Sequence, residues 1–352
     1  MDDPAKHLRR IAFLLERSLE PTYRVRAFRR AAAAVDAVDP DELRRRAARG
    51  TLRELSGIGE VTARVITEAL AGEVPVYLRR LEATGGKPVA EGGAELREAL
   101  RGDLHVHSDW SDGGSPIIEM ARTARDLGHD YIALTDHSPR LKVANGLTPE
   151  RLRSQLDEVD LINEQLAEEA EDGAPPFRIL TGIEVDILTD GALDQEDELL
   201  ARLDVVVASA HSELRMERDA MTRRLVTAVA NPHTDILGHC TGRLLTGSRG
   251  RRAESEFDPE IVFAACARFG VAVEVNSRPE RQDPPKRLLR LAIEAGCHLS
   301  IDSDAHAPGQ LDWQVIGCAR AAACGADAAM VVNALRVDEL LAWAGRGYVD
   351  ES

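Results

Sequence analysis

The chain has 352 residues, a formal net charge of −16, 44% hydrophobic residues and 30% charged residues. This length predicts about two domains, and the apolar fraction is that of a folded globular protein rather than a disordered one. No segment approaches the roughly 20 consecutive apolar residues of a membrane-spanning helix, and we expect no secretory signal because the N-terminus lacks an apolar core. The five cysteines form no Cys-x-x-Cys pair, which favours a reducing, cytoplasmic location over a disulfide framework.

The charge is distributed unevenly along the chain. Residues 1–90 hold 17 basic and 13 acidic residues, whereas residues 91–352 hold 27 basic and 47 acidic ones. The first part is therefore suited to contact a polyanion. The second part repels one, unless bound metal ions reverse the sign of the charge inside a cleft.

The first part of the chain, residues 1–88, is predicted to form a small all-α domain. Apolar residues such as Leu8 and Ile11 recur at helical spacing. A short Gly-Ile-Gly turn at 57–59 separates two helical stretches, a helix-hairpin-helix pattern in which backbone N–H groups can approach a phosphate. Paired glycines then interrupt the pattern, and residues 89–100 are predicted to be a linker.

From residue 101 onward, short apolar segments rich in β-branched residues alternate with amphipathic helical segments. This alternation predicts an α/β domain over residues 101–352 with a parallel sheet. Seven repeats without a Rossmann glycine pattern favour a barrel over an open sheet. The predicted strands cover residues 103–108, 131–138, 178–187, 204–211, 235–240, 271–277 and 298–306.

Histidines and acidic residues stand at the ends of six of these strands. Because the carboxyl ends of parallel barrel strands meet at one mouth, we expect these side chains to share one cavity. A single histidine at a strand end is usually structural, but so many titratable groups buried together need cations to compensate them. The predicted metal ligands are His105, His107, Asp112, His137, Glu184, His211, His239, Asp304 and His306.

Imidazole and carboxylate donors favour Zn²⁺, Mn²⁺ or Fe²⁺ over Mg²⁺ or Ca²⁺. Nine ligands exceed the coordination of one or two ions, so three ions are expected, with Glu184 as a bridge. Asp136 and Asp186 are interpreted as partners that orient the histidine ligands. Cys240 is interpreted as a packing residue on the opposite face of its strand.

Seven segments, in this order, resemble the PHP (polymerase and histidinol phosphatase) domain, and the resemblance covers residues 101–345. They are DLHVHSDWSDG, LTDHS, GIEVD, ASAH, LGHCTGR, EVNSRP and SIDSDAH. The similarity is greatest to the PHP domain at the end of bacterial family X DNA polymerases, apart from Cys240, where that family would have Pro. The resemblance implies a distorted seven-stranded (β/α)7 barrel with three metal ions. It implies one ion held by His105, His107, Glu184 and Asp304, a second by Glu184, His211 and His239, and a third by Asp112, His137 and His306.

The N-terminal segments YRVRAFRRAAAAVDAV and LRELSGIGEVTARVITEAL resemble the small helix-hairpin-helix domain of the same polymerases. The segment leads directly into the PHP-like region without a polymerase core, so we expect no polymerase activity. The resemblance implies a DNA-binding domain, although Glu60 replaces a basic residue often found there. The predicted DNA contacts are Gly57, Gly59, Arg29, Arg30 and Arg64.

These features together predict metal-dependent hydrolysis of phosphate esters, with Glu184, His107 and Asp304 as catalytic residues. Arg243 and Arg278 follow strand ends and are candidates to hold a substrate phosphate, or to pair with surface carboxylates. The favoured function is a DNA 3′–5′ exonuclease or an end-processing enzyme of DNA repair. A small-molecule phosphatase of the histidinol-phosphatase type and a non-catalytic DNA-binding adaptor are the alternatives. The native metal and the oligomeric state stay open.

Overall fold

The computed structural model describes residues 3–85, 90–170, 176–247 and 250–345. The chain divides into two compact units, Met1–Pro88 and Val89–Ser352.

The first unit is entirely helical, as the apolar spacing predicts. Asp39 caps the third helix by accepting hydrogen bonds from two backbone N–H groups, and Gly50 ends it with a φ of 72°. Gly57 has a φ of 89°, and a Cβ there would lie 3.2 Å from the Arg30 carbonyl oxygen, so this turn requires glycine. The first arm of the predicted hairpin is a 3₁₀ helix, Leu52–Glu54. The α-helices are α1 (Pro4–Arg17), α2 (Thr22–Asp36), α3 (Pro40–Arg49), α4 (Glu60–Leu70) and α5 (Val76–Gly85).

The second unit is built on seven parallel strands in the order β1 to β7, and the predicted barrel is confirmed. The strands are apolar because helices cover the outside of the sheet, and most strand residues are buried. The strands are β1 (Gly102–Val106), β2 (Tyr131–Leu134), β3 (Arg178–Asp186), β4 (Val205–Ser209), β5 (Ile236–Leu237), β6 (Ala272–Asn276) and β7 (Leu299–Asp302). The helices are α6 (Ala94–Ala99), α7 (Ile117–Asp126), α8 (Pro149–Glu168), α9 (Asp197–Leu200), α10 (Arg218–Val229), α11 (Pro259–Phe269), α12 (Lys286–Glu294), α13 (Gln314–Ala322) and α14 (Val337–Ala344).

The barrel is nearly closed between β1 and β7. A single backbone bridge joins Val106 to Ala305. Side chains complete the rest of this seam, because Asp302 Oδ1 accepts a hydrogen bond from the Leu104 N–H at 2.9 Å. The buried Asn333 side chain adds further bonds to the backbone of β7.

The segment predicted as a linker, residues 89–100, contains helix α6. Its Leu96 side chain and the following Leu100 are 4% and 3% exposed and belong to the same apolar core as the strands. The described part of this segment is therefore packed structure of the second unit. The prediction missed it because the glycines at 92 and 93 looked like a break, whereas Gly93 lies in the left-handed region directly before the helix.

Candidate metal centre

The carboxyl ends of the strands bring the nine predicted ligands together. Each of the nine has a ring nitrogen or a carboxylate oxygen within 3.6 Å of another member of the set. Three groups of their donor atoms lie within 4.8 Å of one another, which is the spacing of ligands to a common cation. The groups are His107, Asp112, His137 and His306; His105, His107 and Glu184; and His137, Glu184 and His211.

Glu184, in the second half of β3, lies at the centre of the cluster, and its Oε2 faces three imidazoles. The distance from Oε2 is 2.8 Å to His137 Nδ1, 3.4 Å to His105 Nε2 and 3.6 Å to His107 Nε2. His105 and His107 are two residues apart at the end of β1, so both side chains point to the barrel interior. One carboxylate oxygen on β3 thereby faces imidazoles from the ends of β1 and β2.

The other oxygen of Glu184 faces the later strands. Its Oε1 lies 2.8 Å from His239 Nε2 and 3.2 Å from His211 Nε2. Since the two oxygens face different histidines, Glu184 is placed as a bridging ligand would be.

A second carboxylate group lies on the solvent side of the cluster. Asp112, in the loop after β1, has its Oδ1 3.2 Å from His306 Nε2 and 3.5 Å from His137 Nε2. The ring of His107 lies between the ligands around Glu184 and those around Asp112. Its centroid is 4.2 Å from that of the His306 ring. Asp112 is partly exposed, so this end of the cluster is accessible to a substrate.

The donor atoms of the cluster fit divalent metal ions. Both oxygens of Glu184 and both ring nitrogens of His107 are buried without a hydrogen-bond partner among the described residues. Orphaned polar atoms of this kind are rare in a folded protein, because each costs about 1–3 kcal/mol. His107 Nε2 lies 3.6 Å from Glu184 Oε2, and a cation bound between them would satisfy both atoms.

The electrostatics of the cluster suit the same interpretation. Burial raises the pKa of Glu184, but the neighbouring imidazoles of His211 and His105 outweigh burial and lower this pKa well below its usual range. Burial and the nearby His306 lower the pKa of His107 well below its usual range. Glu184 is therefore an anion and His107 a neutral donor, which are the forms that bind metals.

Glu274, in the middle of β6, orients two of the ligands. Its Oε1 lies 2.6 Å from His105 Nδ1, and its Oε2 accepts a hydrogen bond from the His239 backbone N–H. The carboxylate is fully buried. Sequence reasoning missed this role, although a glutamate between Val273 and Val275 in a buried strand is itself a signal that it has a polar partner.

Two aspartates were predicted to orient histidines of the cluster. Asp186 does so, whereas Asp136 does not. Asp186 Oδ1 accepts from the His211 backbone N–H at 3.0 Å and lies 3.3 Å from His211 Nδ1. Asp136 instead accepts from the Ser108 N–H at 2.9 Å and from the Ser111 hydroxyl. The prediction for Asp136 is wrong because the loop after β1 folds over its carboxylate and places serines against it.

Asp304 is held by basic and amide side chains. It has a φ of 52°, a conformation that aspartate tolerates better than most residues. Its carboxylate lies 3.4 Å from Arg278 Nη1 and 3.2 Å from Arg281 Nε, and it accepts from Asn276 Nδ2 at 3.0 Å. Sequence reasoning did not select Arg281, which is only 6% exposed and has two N–H nitrogens without a hydrogen-bond acceptor among the described residues.

The two arginines predicted to hold a phosphate lie in different surroundings. Arg278 Nη1 is 2.9 Å from His306 Nδ1 and so lies at the ligand cluster. Arg243 donates from Nε to the Arg281 carbonyl at 3.0 Å, and its Nη1 is 3.5 Å from Glu254. Arg243 therefore fastens the loop that carries Arg281 and uses its N–H groups there. Its role as a phosphate ligand stays a prediction.

The predicted DNA contacts in the helical unit are partly engaged with other residues. The Gly59 N–H donates to Thr62 Oγ1 at 2.9 Å. Arg29 makes two hydrogen bonds with the buried carboxylate of Glu16. Arg64 is 68% exposed beside Glu60. Arg30 is also exposed, so Arg30 and Arg64 are the available cations of this set.

A parallel barrel with clustered histidines and carboxylates at its mouth is the arrangement of a metal-dependent hydrolase. Comparison with known families agrees, because the PHP domain model matches residues 103–278 and a helix-hairpin-helix domain model matches residues 2–74. The chain belongs to the PHP domain family.

The chain is also similar to individual proteins. It is 41% identical over 247 residues to the DNA polymerase/3′-5′ exonuclease PolX of Bacillus subtilis, a match that covers 70% of this chain and 41% of that protein. It is 29% identical over 215 residues to a protein named "Probable phosphatase" from Thermoanaerobacter sp. strain X514, covering 58% and 78% of the two chains. The crystal structure of histidinol phosphate phosphatase from Lactococcus lactis, complexed with zinc, L-histidinol and phosphate, matches with a TM-score of 0.44 and 17% identity, covering 65% and 95%.

Among the described residues, the structure contains no helix with the length and apolarity required to cross a membrane.

Proposed function

We propose that this chain hydrolyses phosphodiester bonds at DNA ends, as a 3′–5′ exonuclease or an end-processing enzyme of DNA repair. The observation that carries the proposal is the convergence of six histidines and three carboxylates around Glu184, in a chain that also contains a helix-hairpin-helix domain. The name of the Bacillus subtilis relative supports the same activity, although this chain spans only 41% of that relative's length.

The proposed centre takes three divalent cations, with Mn²⁺, Zn²⁺ and Fe²⁺ as the candidates suited to these donors. Bound cations would supply Lewis acidity toward water and toward the phosphoryl oxygens. The proposed ligands are His105, His107, Glu184 and Asp304 for the first ion, Glu184, His211 and His239 for the second, and Asp112, His137 and His306 for the third. Glu274 and Asp186 hold His105 and His211 in place, and such partners strengthen the binding of metals by histidine.

The substrate phosphate is proposed to lie beside Arg278 and Arg281. Arg278 contacts the cluster through His306 and Asp304. Arg281 Nε lies 3.2 Å from Asp304, and its buried Nη1 has no acceptor among the described residues. A non-bridging phosphate oxygen supplies that acceptor and gains a charge-assisted hydrogen bond. The two guanidinium groups would then stabilise the charge that develops on the phosphoryl group during cleavage.

The helical unit is proposed to bind the DNA backbone. Its net charge is positive, the turn at Gly57 exposes the start of α4, and Arg30 and Arg64 are exposed. Contacts to the DNA backbone do not depend on the base sequence, and they weaken as the salt concentration rises. Hydrolysis of a small phosphate ester is the second candidate, and the similarity to proteins named as probable phosphatases favours it.

One experiment separates these candidates. Protein reconstituted with Mn²⁺ is incubated with a 5′-labelled single-stranded oligonucleotide and, separately, with histidinol phosphate. A ladder of shortened labelled products is the expected result and gives the polarity, whereas release of phosphate only from the small ester supports the second candidate.

The matched variants are His107→Ala and His233→Ala, of which only the first removes a ligand. The first is expected to lose whichever activity the wild type shows, and the second to keep it. Full activity of His107→Ala would show that this cluster takes no part in hydrolysis.

A further inference from the structure

The loop that joins β2 to α8 is tied at both ends to ligands of the metal centre. We call residues 138–147 the rim loop. The Ser138 N–H donates to the Glu184 carbonyl at 3.1 Å, and the Leu147 N–H donates to the His137 carbonyl at 2.7 Å. The rim loop therefore begins and ends at the mouth of the barrel, directly beside the cluster.

The rim loop is held in one conformation. Ala144 and Leu147 are 3% and 0% exposed and anchor it. Asn145 has a φ of 55° and reverses the chain. A Cβ at Gly146 would lie 1.8 Å from the Ser138 carbonyl oxygen, so only glycine allows the two ends to approach this closely.

The neighbouring ligand loop braces the rim loop. Asn145 Nδ2 donates to the Trp110 carbonyl at 3.1 Å, and Trp110 lies two residues before the ligand Asp112. The Arg151 guanidinium bonds the carbonyls of Gly146 and Trp110 and lies over the Trp110 ring, 5.9 Å from its centroid. A surface supported in this way loses little conformational entropy when it binds a ligand.

The tip of the rim loop presents one apolar and two cationic side chains to solvent. Val143 is 93% exposed, and Arg140 and Lys142, which precede it in the chain, are also exposed. Among the described residues, neither cation has a carboxylate within ion-pair distance. Residues 139–151 hold three basic residues and one acidic residue, although residues 91–352 as a whole are strongly acidic.

We propose that the rim loop is a binding surface for single-stranded DNA, a role that rests on the proposed function and defines its substrate class. Val143 packs against the exposed face of a base, and Arg140 and Lys142 contact phosphates next to the one that is cleaved. A single strand offers both features at short spacing, since its bases are unstacked and its backbone is charged. A small phosphate ester has no second phosphate for these cations to contact.

Exposed apolar residues are common on protein surfaces, so exposure alone does not identify a binding site. Leu161 and Ile261 are 66% and 53% exposed, but both lie on the helices α8 and α11. Val143 differs because it stands on a loop that is hydrogen-bonded to the backbone of Glu184 and His137, directly after Lys142 and three residues after Arg140. This combination supports the proposal where exposure by itself would not.

The first test compares two substrates. The double variant Arg140→Glu/Lys142→Glu and the single variant Val143→Asp are assayed on a 5′-labelled oligothymidylate and on bis(4-nitrophenyl) phosphate. The ratio of kcat/KM for the oligonucleotide to kcat/KM for the small diester is expected to fall about tenfold in both. For the double variant, the slope of log(kcat/KM) against log[salt] is expected to be smaller by about 1.4, since each lost contact to a single strand removes about 0.7.

The matched controls are Arg202→Glu and Leu161→Asp. Arg202 is exposed just before β4, at the end of the barrel opposite to the metal centre. Both controls are expected to keep the wild-type ratio and salt slope. An unchanged ratio in the rim-loop variants, or an equal fall on both substrates, would overturn the proposal.

A second test does not depend on hydrolysis. Val143→Cys and Leu161→Cys are labelled with benzophenone maleimide and irradiated with the same oligothymidylate. The native cysteines are buried apart from Cys324, which is intermediate, so both variants share one background. Crosslinking at position 143 above that at 161 is expected, and equal crosslinking contradicts the proposal. If the wild type cleaved no DNA but the labelled Val143→Cys variant crosslinked above Leu161→Cys, the proposed function would be refuted and the rim-loop surface would stand.

Discussion

At the scale of single residues, two of the clustered imidazoles are held by a carboxylate at their second nitrogen. Glu274 does this for His105 at 2.6 Å and Asp186 for His211 at 3.3 Å. A carboxylate in this position fixes the orientation of the ring and makes the other nitrogen a better donor. The carboxylates that touch no metal are therefore expected to influence metal affinity strongly.

Replacing Glu274 by Gln keeps the size of the side chain and removes its charge. We expect the affinity of the protein for Mn²⁺ or Zn²⁺ to fall by about 10-fold to 100-fold, because a neutral amide polarises His105 less than a carboxylate does. Isothermal titration calorimetry of the metal-free protein measures this. The control Glu164→Gln changes an exposed glutamate of α8 and should bind metal as the wild type does. If Glu274→Gln bound metal as tightly as the wild type, the contact between Glu274 and His105 would only support the fold.

His129, just before β2, gives the stability of the protein a defined pH dependence. It is 4% exposed, and burial and the nearby Arg97 lower its pKa to about 3. Between pH 6.5 and about 3, the unfolded chain binds a proton here that the folded protein does not. The stability contributed by neutral His129 is therefore lost as the pH falls, by about 1.4 kcal/mol for each pH unit in this window.

The variant His129→Leu removes this titration. The difference in free energy of unfolding between variant and wild type is expected to shift in favour of the variant as the pH falls from 7 to 4. Urea unfolding at several pH values measures this difference, and the contribution of the ligand histidines is common to both proteins. A difference that does not change with pH would contradict the assigned pKa.

At the scale of elements, the barrel is closed by side chains where backbone pairing between β1 and β7 stops. Asn333 is fully buried. Its Oδ1 accepts from the Ile301 N–H at 2.7 Å, and its Nδ2 donates to Asp302 Oδ1 at 2.8 Å. Through Asp302 it is connected to the Leu104 backbone of β1. One amide side chain thus replaces several bonds of a strand ladder.

Replacing Asn333 by Ala is expected to lower the free energy of unfolding by about 2–4 kcal/mol, because it leaves several buried polar groups without partners. Chemical denaturation followed by circular dichroism measures the change. Gln165→Ala, an exposed amide on α8, is expected to stay within about 0.5 kcal/mol of the wild type. Equal stabilities of the two variants would mean that the seam does not need the amide.

The strands and the clustering of the nine histidines and carboxylates could be predicted from the sequence, whereas their connections across the barrel could not. Buried parallel strands are apolar runs, and His105 and His107 follow such a run directly, so a local pattern identifies both. The contacts of Glu274, Arg281 and Asn333 depend on which strand or loop lies opposite, and this is set by the register of the whole sheet. The packed helix at 94–99 was missed for a related reason, since its burial comes from partners distant in the chain.

At the scale of the whole molecule, a weakly basic helical unit is joined to an acidic barrel with a cationic rim loop beside its metal centre. An acidic surface repels DNA in general, so a nucleic acid substrate would be admitted only where cations compensate its charge. The metal ions are therefore expected to support both chemistry and substrate binding. This distribution of charge makes the activity depend on whether the metal centre is occupied.

The most direct test of this claim is the metal content of the protein after reconstitution with Mn²⁺ and removal of free metal by gel filtration. Elemental analysis by mass spectrometry is expected to find about three ions per chain, one for each proposed ligand set, and clearly fewer in Glu184→Gln, where the bridging charge is lost. A wild-type protein that retains no transition metal, or a variant that retains as much as the wild type, would contradict the account.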